Sequence, residues 1–273
     1  MSGKIALVTG ASSGIGEAAA RLLKAKGFIV YAAARRQDQM APLSRVGVHV
    51  LPLDITEEAS IRTCVETILQ REGRIDILVN NAGYGSFGAV EDVPIEEARR
   101  QFDVNVFGLA RLTQLVLPKM RENRFGRIIN VTSIGGKMYT PFGAWYHATK
   151  HALEGWSDAL RIETAPFGVD VVIVEPGGIR TPWGGIAVEH LRQTSGSGAY
   201  ADAVKKAADG MTKLYEGDRL SDPAVIAQTI VKAATAAKPR TRYAAGYMAR
   251  PALVLRWLLP DRLFDRVIVS MAA

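Results

Sequence analysis

Short apolar runs without polar alternation recur along most of the chain, and longer amphipathic segments separate them. The runs are rich in valine and isoleucine and end at glycine, aspartate or asparagine, a pattern typical of strands buried on both faces. Predicted strands cover residues 5–8, 28–33, 48–53, 75–79, 127–131 and 169–174, and predicted helices cover 15–26, 57–71, 95–120 and 145–165. This alternation predicts a Rossmann-like α/β fold, in which a doubly wound parallel sheet lies between two layers of helices.

The alternation stops between residues 184 and 220, where Gly184, Gly185, Gly196 and Gly198 lie among short helical stretches. Because this segment follows the last regular strand, we expect it to be a mobile helical lid over a ligand site, the alternative being a static insertion. The remaining chain predicts a helix at 223–237, a strand at 241–245 and an apolar helix at 249–258. No low-complexity linker divides the chain before residue 184, so we expect one domain spanning residues 1–273.

Composition excludes several classes of protein. The 273 residues are 48% hydrophobic and 22% charged, with a net charge of +7. The basic residues are spread along the chain rather than clustered with aromatics, which favours a solvated surface over a nucleic-acid binder. A single cysteine, Cys64, excludes an intramolecular disulfide, and its helical spacing from Ile61 and Ile68 predicts a place in the core.

The sequence predicts neither a metal site nor a membrane span. The four histidines do not share a ligand spacing with acidic partners, and no run approaches the ~20 apolar residues that a membrane helix needs. The apolar run after Met1 ends at Thr9 and is too short for a secretory signal. We therefore expect a cytoplasmic protein.

A glycine-rich turn follows the first predicted strand. Gly10, Gly14 and Gly16 have the spacing G-x-x-x-G-x-G and lead directly into a helix. Glycines let the backbone approach a pyrophosphate, and the start of a helix supplies amide donors and a favourable dipole. Any tight strand–helix turn needs glycine for steric reasons, but the position after the first strand favours dinucleotide binding.

The end of the second strand indicates which dinucleotide binds. NAD sites place an acidic residue about 20 positions past the glycines, where it accepts hydrogen bonds from the ribose 2′-hydroxyl. Here that neighbourhood contains Ala34, Arg35 and Arg36 and no carboxylate. Arg35 offers a guanidinium to a 2′-phosphate, so the sequence favours NADP(H) over NAD(H).

Tyr146 and Lys150 are four residues apart in a predicted helix, which places both side chains on one face. A neighbouring lysine cation favours the phenolate and is expected to lower the tyrosine pKa, as acid–base catalysis at neutral pH requires. The spacing alone is common by chance. Ser133, however, follows a predicted strand at the edge of the sheet where ligands bind in such folds, and its hydroxyl can donate a hydrogen bond to a substrate carbonyl.

These residues together resemble the short-chain dehydrogenase/reductase family, in its single-domain, NADP-preferring branch. The resemblance covers about residues 4–182 and departs from the family at none of its motifs. The matching segments are the glycine turn 9–16, Asn80-Asn81-Ala82-Gly83 after the fourth strand, and Pro176-Gly177-Gly178-Ile179-Arg180-Thr181 after the sixth. Asn105, Ser133, Tyr146 and Lys150 match the four catalytic positions of the family.

The resemblance implies a role for each position. Tyr146 exchanges a proton with the substrate oxygen, and Lys150 holds the nicotinamide ribose and depresses the tyrosine pKa. Ser133 orients the carbonyl, and Asn105 anchors a water relay behind Lys150. The implied cofactor contacts are Gly10, Ser12, Ser13, Gly14, Ile15, Gly16, Arg35, Asp54, Ile55, Asn81, Ala82, Gly83, Tyr146, Lys150, Pro176, Gly177, Ile179 and Thr181.

Aromatic and apolar residues near these motifs predict a hydrophobic carbonyl or alcohol as substrate. They are Tyr84, Phe87, Met138, Tyr139, Phe142, Trp145 and Trp183. The C-terminal part more weakly resembles the steroid and retinol dehydrogenases of the family. Its apolar segment 252–259 favours either a subunit interface, in an expected homodimer or homotetramer, or weak contact with a membrane surface.

Two other functions are compatible with the fold and the Tyr–Lys pair. A catalytically silent NADP(H)-binding sensor would usually have lost one of the four catalytic residues. A dehydratase or epimerase would usually have a different glycine spacing and a longer C-terminal domain. The sequence has neither departure, which favours the oxidoreductase.

Overall fold

The computed structural model describes residues 3–272, in which seven parallel strands form one sheet of order β3-β2-β1-β4-β5-β6-β7. The strands are β1 Ile5–Thr9, β2 Ile29–Ala34, β3 His49–Pro52, β4 Ile77–Asn80, β5 Gly126–Val131, β6 Val169–Pro176 and β7 Arg242–Ala245. The central strands are buried on both faces, as their uninterrupted apolar runs predict. The doubly wound Rossmann-like fold is confirmed.

Helices cover both faces of this sheet. They are α1 Gly14–Ala25, α2 Ala41–Ser44, α3 Glu58–Glu72, α4 Ile95–Phe102, α5 Gly108–Glu122, α6 Ala144–Thr164, α7 Trp183–Ser195, α8 Ala201–Glu216, α9 Pro223–Thr235, α10 Ala249–Leu258 and α11 Asp261–Ala272. Apolar residues of α1, α2 and α9 pack against one face, and those of α3, α5 and α6 pack against the other. Cys64 is buried in the second cluster, as predicted.

The strand order determines where a ligand site can lie in this sheet. From β1 the chain winds outward through β2 and β3, and then returns to the other side of β1 through β4. The ends of β1 and β4 are therefore neighbours, and the connections after them lead to opposite faces of the sheet. In open α/β sheets ligands bind in the crevice that this reversal opens at the carboxyl ends of the strands.

Parts of the chain differ from the sequence prediction. The helix predicted at 95–120 is interrupted by a π-helical turn at Asp103–Phe107, between α4 and α5. The segment 184–220, predicted to hold only short helical stretches, forms most of α7 and all of α8, which have 13 and 16 residues. The short helix α2 and the final helix α11 are not predicted at all. Among residues 3–272, no helix combines the length and apolar character needed to cross a membrane.

Candidate active site

The glycine turn after β1 is closely packed against the loop after β4. Gly10 and Gly14 have positive φ angles of 65° and 58°, which favour glycine. A Cβ atom at Gly16 would lie 2.6 Å from Asn81 Nδ2 and closer still to the Gly10 carbonyl oxygen. The N-cap residue of α1, Ser13, makes no side-chain capping hydrogen bond, so the first amides of the helix have no side-chain acceptor. The turn therefore keeps the bare backbone that a phosphate group requires.

Thr9 and Asn81 fix this turn by reciprocal hydrogen bonds. The Thr9 hydroxyl accepts hydrogen bonds from the backbone amides of Asn81 and Ala82, each at 3.0 Å. In return, the Asn81 side-chain amide donates to the carbonyls of Thr9 and Gly10, at 3.0 and 3.3 Å. Asn81, predicted as a cofactor contact, thus lines the cavity while its side-chain amide holds the glycine turn in shape.

Two exposed arginines lie beside the turn, at the end of β2. Arg36 Nη2 donates a hydrogen bond to the Ser12 hydroxyl at 3.1 Å, and Arg35 lines the same cavity. Neither guanidinium has a carboxylate within ion-pair distance among the described residues. Only Arg35 is among the predicted cofactor contacts, although both arginines belong to the same sequence motif.

Asp54 and Ile55 also line this cavity. Burial raises the pKa of Asp54, but other interactions outweigh this effect. Hydrogen bonds from the Thr56 amide and hydroxyl, and the charge of Arg35, bring the pKa of Asp54 below its usual value. The carboxylate is therefore ionised and its Oδ1 atom is already engaged in a turn.

Helix α6 presents Tyr146 and Lys150 to the cavity opposite the end of β5. Lys150 Nζ donates to the Val131 carbonyl at 3.1 Å and lies 6.0 Å from the centre of the Tyr146 ring. Ser133, two residues after Val131, also lines the cavity, and its hydroxyl accepts a hydrogen bond from the Gly135 amide at 2.9 Å. The three predicted side chains are thus brought together at the carboxyl edge of the sheet.

The expected lowering of the Tyr146 pKa is wrong for this structure. Burial raises the pKa of Tyr146 to about 12, and a hydrogen bond with Ser133 counteracts only part of this effect. Burial lowers the pKa of Lys150 to about 8, while Glu154 works in the opposite direction. Lys150 therefore does not offset the effect of burial on Tyr146, because the lysine has lost its charge before the pH at which the phenol ionises. At neutral pH both groups are mostly protonated.

Asn105 lies on the π-helical turn and is fully buried. Its Oδ1 atom accepts from the Tyr84 amide at 3.0 Å, and its Nδ2 atom donates to the Tyr84 carbonyl at 2.9 Å and to the Thr149 hydroxyl at 3.1 Å. Asn105 therefore joins the loop after β4 to α6, next to Lys150, without lining the cavity itself. π-Helical turns of this kind are frequent at functional sites.

The loop after β6 closes the cavity over the start of α1. Pro176, Gly177, Ile179 and Thr181, four of the predicted cofactor contacts, all line the cavity. Thr181 lies next to Gly14, where a Cβ atom would meet the Thr181 methyl group at 3.1 Å. The glycine turn and this loop thus form two sides of one continuous site. Of the predicted contacts, only Gly16 is not among the cavity-lining residues.

The cavity has a volume of about 620 Å³ and extends past Tyr146 into an apolar compartment. Phe87 and Trp183 lie 5.7 and 5.2 Å from Tyr146 between ring centres, and α7 and α8 pack around them. Among the described residues, those of α7, α8, α10 and α11 that line the cavity include no Asp, Glu, Lys or Arg. This compartment is therefore suited to an uncharged, apolar group.

Sequence proximity identified this compartment only in part. Tyr84, Phe87, Met138 and Trp183 line the cavity, whereas Tyr139, Phe142 and Trp145 do not. Tyr139 instead packs against Phe264, and Phe142 packs against Tyr200. The residues missed by the sequence analysis come from the lid segment and the C-terminal helices: Ile186, Leu191, Ala207, Gly210, Met211, Leu214, Tyr215, Ala252, Leu255, Phe264 and Ile268.

His147, between Tyr146 and Lys150 in sequence, is buried and holds the loop after β5. Its Nε2 atom accepts a hydrogen bond from the Thr140 amide, and Nδ1 lies 3.0 Å from the Gly135 carbonyl. Burial lowers the pKa of His147, which favours the neutral ring that this pair of contacts needs. Within residues 3–272, no three His, Cys, Asp or Glu side chains come together in a group that could hold a metal ion.

The fold and this geometry define a Rossmann-like α/β protein whose Tyr–Lys pair faces an apolar cavity. Comparison with known proteins identifies the family: residues 4–191 match the short chain dehydrogenase family model. The chain belongs to the short-chain dehydrogenase/reductase family and is an oxidoreductase, so the family indicated by the sequence motifs is confirmed.

Individual relatives match between 66% and 98% of the chain. The NADPH-dependent 3-dehydrocapnine reductase of Ornithobacterium rhinotracheale is 33% identical over 97% of this chain and 95% of its own. The 3-ketodihydrosphingosine reductase of Bacteroides thetaiotaomicron is 43% identical over 66% of each chain. The crystal structure of a short-chain dehydrogenase from Streptomyces avermitilis is 35% identical, with a TM-score of 0.82 over 98% of this chain and 96% of that one.

Proposed function

We propose that this protein is an NADP(H)-dependent oxidoreductase that interconverts a hydrophobic ketone or aldehyde and its alcohol by hydride transfer. The observation that carries the proposal is the position of Ser133, Tyr146 and Lys150, which meet in one cavity between a cationic end and an apolar compartment. Each end of the cavity supports one part of the proposal.

The cationic end supports binding of a dinucleotide. The bare turn at Gly10 and Gly14 would hold the pyrophosphate against the first amides of α1. Asp54 and Ile55 would contact the adenine, and the loop 176–181 would contact the nicotinamide end. The nicotinamide, when bound, supplies or accepts the hydride.

The charges at the end of β2 support NADP(H) in particular. Arg35 and Arg36 would bind the 2′-phosphate, to which Ser12 would add a hydrogen bond. Ala34 leaves this position without the carboxylate that would repel that phosphate. A relative named as NADPH-dependent, the 3-dehydrocapnine reductase, agrees with this preference.

Tyr146 would protonate the substrate oxygen during reduction and remove the alcohol proton during oxidation. Its pKa of about 12 keeps the phenol protonated at neutral pH, which suits proton donation during reduction. Ser133 would orient the carbonyl by a hydrogen bond, and Lys150 would hold the nicotinamide ribose. With a pKa of about 8, Lys150 carries a positive charge through most of the neutral range. Asn105 would hold the loop after β4 against α6, next to Lys150, by its hydrogen bonds to both.

The apolar compartment supports a long or bulky neutral carbonyl substrate. It is lined by Trp183, Met211 and Leu214 from α7 and α8 and by Leu255 and Phe264 from α10 and α11. The name of one relative, 3-ketodihydrosphingosine reductase, also indicates a ketone substrate. We therefore place long-chain and polycyclic ketones ahead of sugars and charged keto acids.

The remaining sequence predictions belong to the same proposal. The segment 184–220 would open as a lid, since α7 and α8 cover Tyr146. Trp257 on α10 is 83% exposed, which supports a subunit interface, in a homodimer or homotetramer, or weak contact with a membrane surface through this helix. A cytoplasmic location stays a prediction.

A screen of NADPH oxidation with a panel of carbonyl compounds tests the substrate class. Long-chain and polycyclic ketones are expected to give a kcat/KM at least about tenfold above that of polar aldoses or short keto acids, because only the former fill the apolar compartment. A panel in which sugars or keto acids are reduced fastest would contradict the proposal.

A further inference from the structure

Glu154 lies one helical turn after Lys150 on α6 and is 3% exposed, although it does not line the cavity. Its Oε1 atom accepts a hydrogen bond from the Thr132 hydroxyl at 2.7 Å. Thr132 stands between Val131, whose carbonyl binds Lys150 Nζ, and the cavity-lining Ser133. Glu154 is thus connected to the strand end that positions both predicted functional groups.

A glycine provides the space that this arrangement needs. A Cβ atom at Gly136 would lie 2.8 Å from Glu154 Cγ and 3.0 Å from the Lys150 carbonyl oxygen. Only an unsubstituted residue at that position allows the loop after β5 to pass over the carboxylate and over the helix turn that carries Lys150.

The surroundings of Glu154 and Lys150 contain a small set of charged and titratable groups. On α6 these are Tyr146 and Asp158. From the other packed elements come Lys137 after β5, Glu175 on β6 and Arg242 on β7. Arg242 and Lys137 form ion pairs with Glu154 at 3.0 and 3.1 Å, and Arg242 also pairs with Asp158.

A buried carboxylate is costly to desolvate, and replacement of such ion pairs by apolar residues is often neutral or stabilising. Fold stability alone therefore gives a weak reason for a carboxylate here. Lys150, by contrast, is a buried cation whose ammonium group is hydrogen-bonded to a neutral carbonyl oxygen. Of the neighbouring charges, Glu154 is the one that stabilises its protonated form.

We propose that Glu154 is a positioning residue, which fixes the end of β5 through Thr132 and keeps Lys150 in its charged form. The catalytic part of this role rests on the proposed function, because it assumes that catalysis uses Lys150. The placement of Glu154 itself is independent of any substrate, so the two can be tested separately.

The test is an NMR titration of the full-length protein labelled with 13C at the lysine Cε atoms, with the Lys150 resonance assigned by its loss in Lys150→Arg. In Glu154→Gln, which retains an acceptor for Thr132, the Lys150 midpoint is expected to fall by about one pH unit from the native value. Asp158→Asn is the matched control because it removes a carboxylate from the same arginine without touching Thr132. Its Lys150 midpoint is expected to change by less than about a third of that amount.

A second variant keeps the proposal testable if Glu154→Gln does not fold, as judged by circular dichroism. Thr132→Val removes the hydroxyl that fixes Glu154, and it should move the Lys150 midpoint in the same direction by a smaller amount. An unchanged Lys150 midpoint in folded Glu154→Gln, or in Thr132→Val, overturns the proposal. Equal shifts in Glu154→Gln and Asp158→Asn also overturn it, because they would assign the effect to Arg242.

The proposed function has its own readout. If the wild-type protein reduces ketones, the pH dependence of kcat/KM can be compared in the two proteins. The alkaline limb of this profile should move to lower pH in Glu154→Gln by the same amount as the NMR midpoint. An alkaline limb that does not move overturns the role of Glu154 in catalysis. A wild-type protein without NADPH oxidation contradicts the proposed function alone, since the NMR midpoint does not depend on turnover.

Discussion

Arg36 Nη2 donates a hydrogen bond to the Ser12 hydroxyl at 3.1 Å, and this contact joins the end of β2 to the glycine turn after β1. It places a guanidinium beside the first amides of α1, where a phosphate group is already favoured by the backbone. Arg35 lines the same cavity from the preceding position. The two arginines therefore form an exposed cationic part of the cavity wall.

Substitution of these arginines should change cofactor preference. In Arg35→Ala or Arg36→Ala the dissociation constant for NADPH should rise about tenfold or more, because each change removes a charged donor to the 2′-phosphate, while that for NADH changes little. Fluorescence titration with both cofactors measures the effect. Arg45→Ala removes an exposed arginine outside the cavity and serves as control. Equal losses of affinity for NADPH and NADH would show that the arginines do not recognise the 2′-phosphate.

The glycine turn should not tolerate a side chain. Gly16→Ala would force a methyl group against the Gly10 carbonyl and Asn81, so we expect a lower Tm by several degrees, from about 1–3 kcal/mol of overpacking, and weaker NADPH binding. Gly155→Ala on α6 is the matched control, since nothing lies within 4 Å of its Cβ position. That variant should gain about 0.5–1 kcal/mol from helix propensity. Thermal unfolding that gives Gly16→Ala the same Tm as the wild type would refute the close packing.

Glu175 should make stability depend on pH near neutrality. Burial, and then repulsion by Glu154, raises the pKa of Glu175 to about 7, from 4.5 in the unfolded chain. The native state therefore binds the proton more tightly, and its contribution to the free energy of unfolding is lost as the pH rises from about 4.5 to about 7. Glu175→Gln lacks this dependence, so its stability relative to the wild type should increase by about 2 kcal/mol between pH 5 and 8.

Denaturant unfolding of both proteins at several pH values measures that difference. The comparison with Glu175→Gln is needed because other carboxyls, such as Asp158 beside Arg242, have lowered pKa values and act in the opposite direction. A stability difference that stays constant from pH 5 to 8 would mean that Glu175 is ionised throughout.

Much of this site could be predicted from the sequence because its residues follow strands. Gly10, Asn81, Ser133 and Pro176 come at or just after the ends of β1, β4, β5 and β6. Parallel strands bring such positions to one edge of the sheet, so locating the strands also locates the residues. Tyr146 and Lys150 join them because helical periodicity places residues four apart on one face.

The remaining features depend on packing between distant parts of the chain. The helical pattern from 95 to 120 does not reveal the wider turn at Asp103–Phe107 that directs Asn105 toward Tyr84. The raised pKa of Tyr146 comes from its burial by α7 and α8, which begin 37 and 55 residues later in the chain. Phe264 and Ile268 enter the cavity wall from a helix with no recognisable motif.

The central claim is that the Tyr146 phenol exchanges the proton with the substrate, and Tyr146→Phe tests it most directly. NADPH oxidation with the best ketone of the panel should fall by about 10²–10⁴-fold, because the phenylalanine ring keeps the packing against Trp183 but has no proton to donate. The NADPH dissociation constant should stay close to that of the wild type, and Tyr243→Phe, a tyrosine of β7 outside the cavity, controls for the loss of a hydroxyl. Turnover by Tyr146→Phe within a few-fold of the wild type would contradict the account.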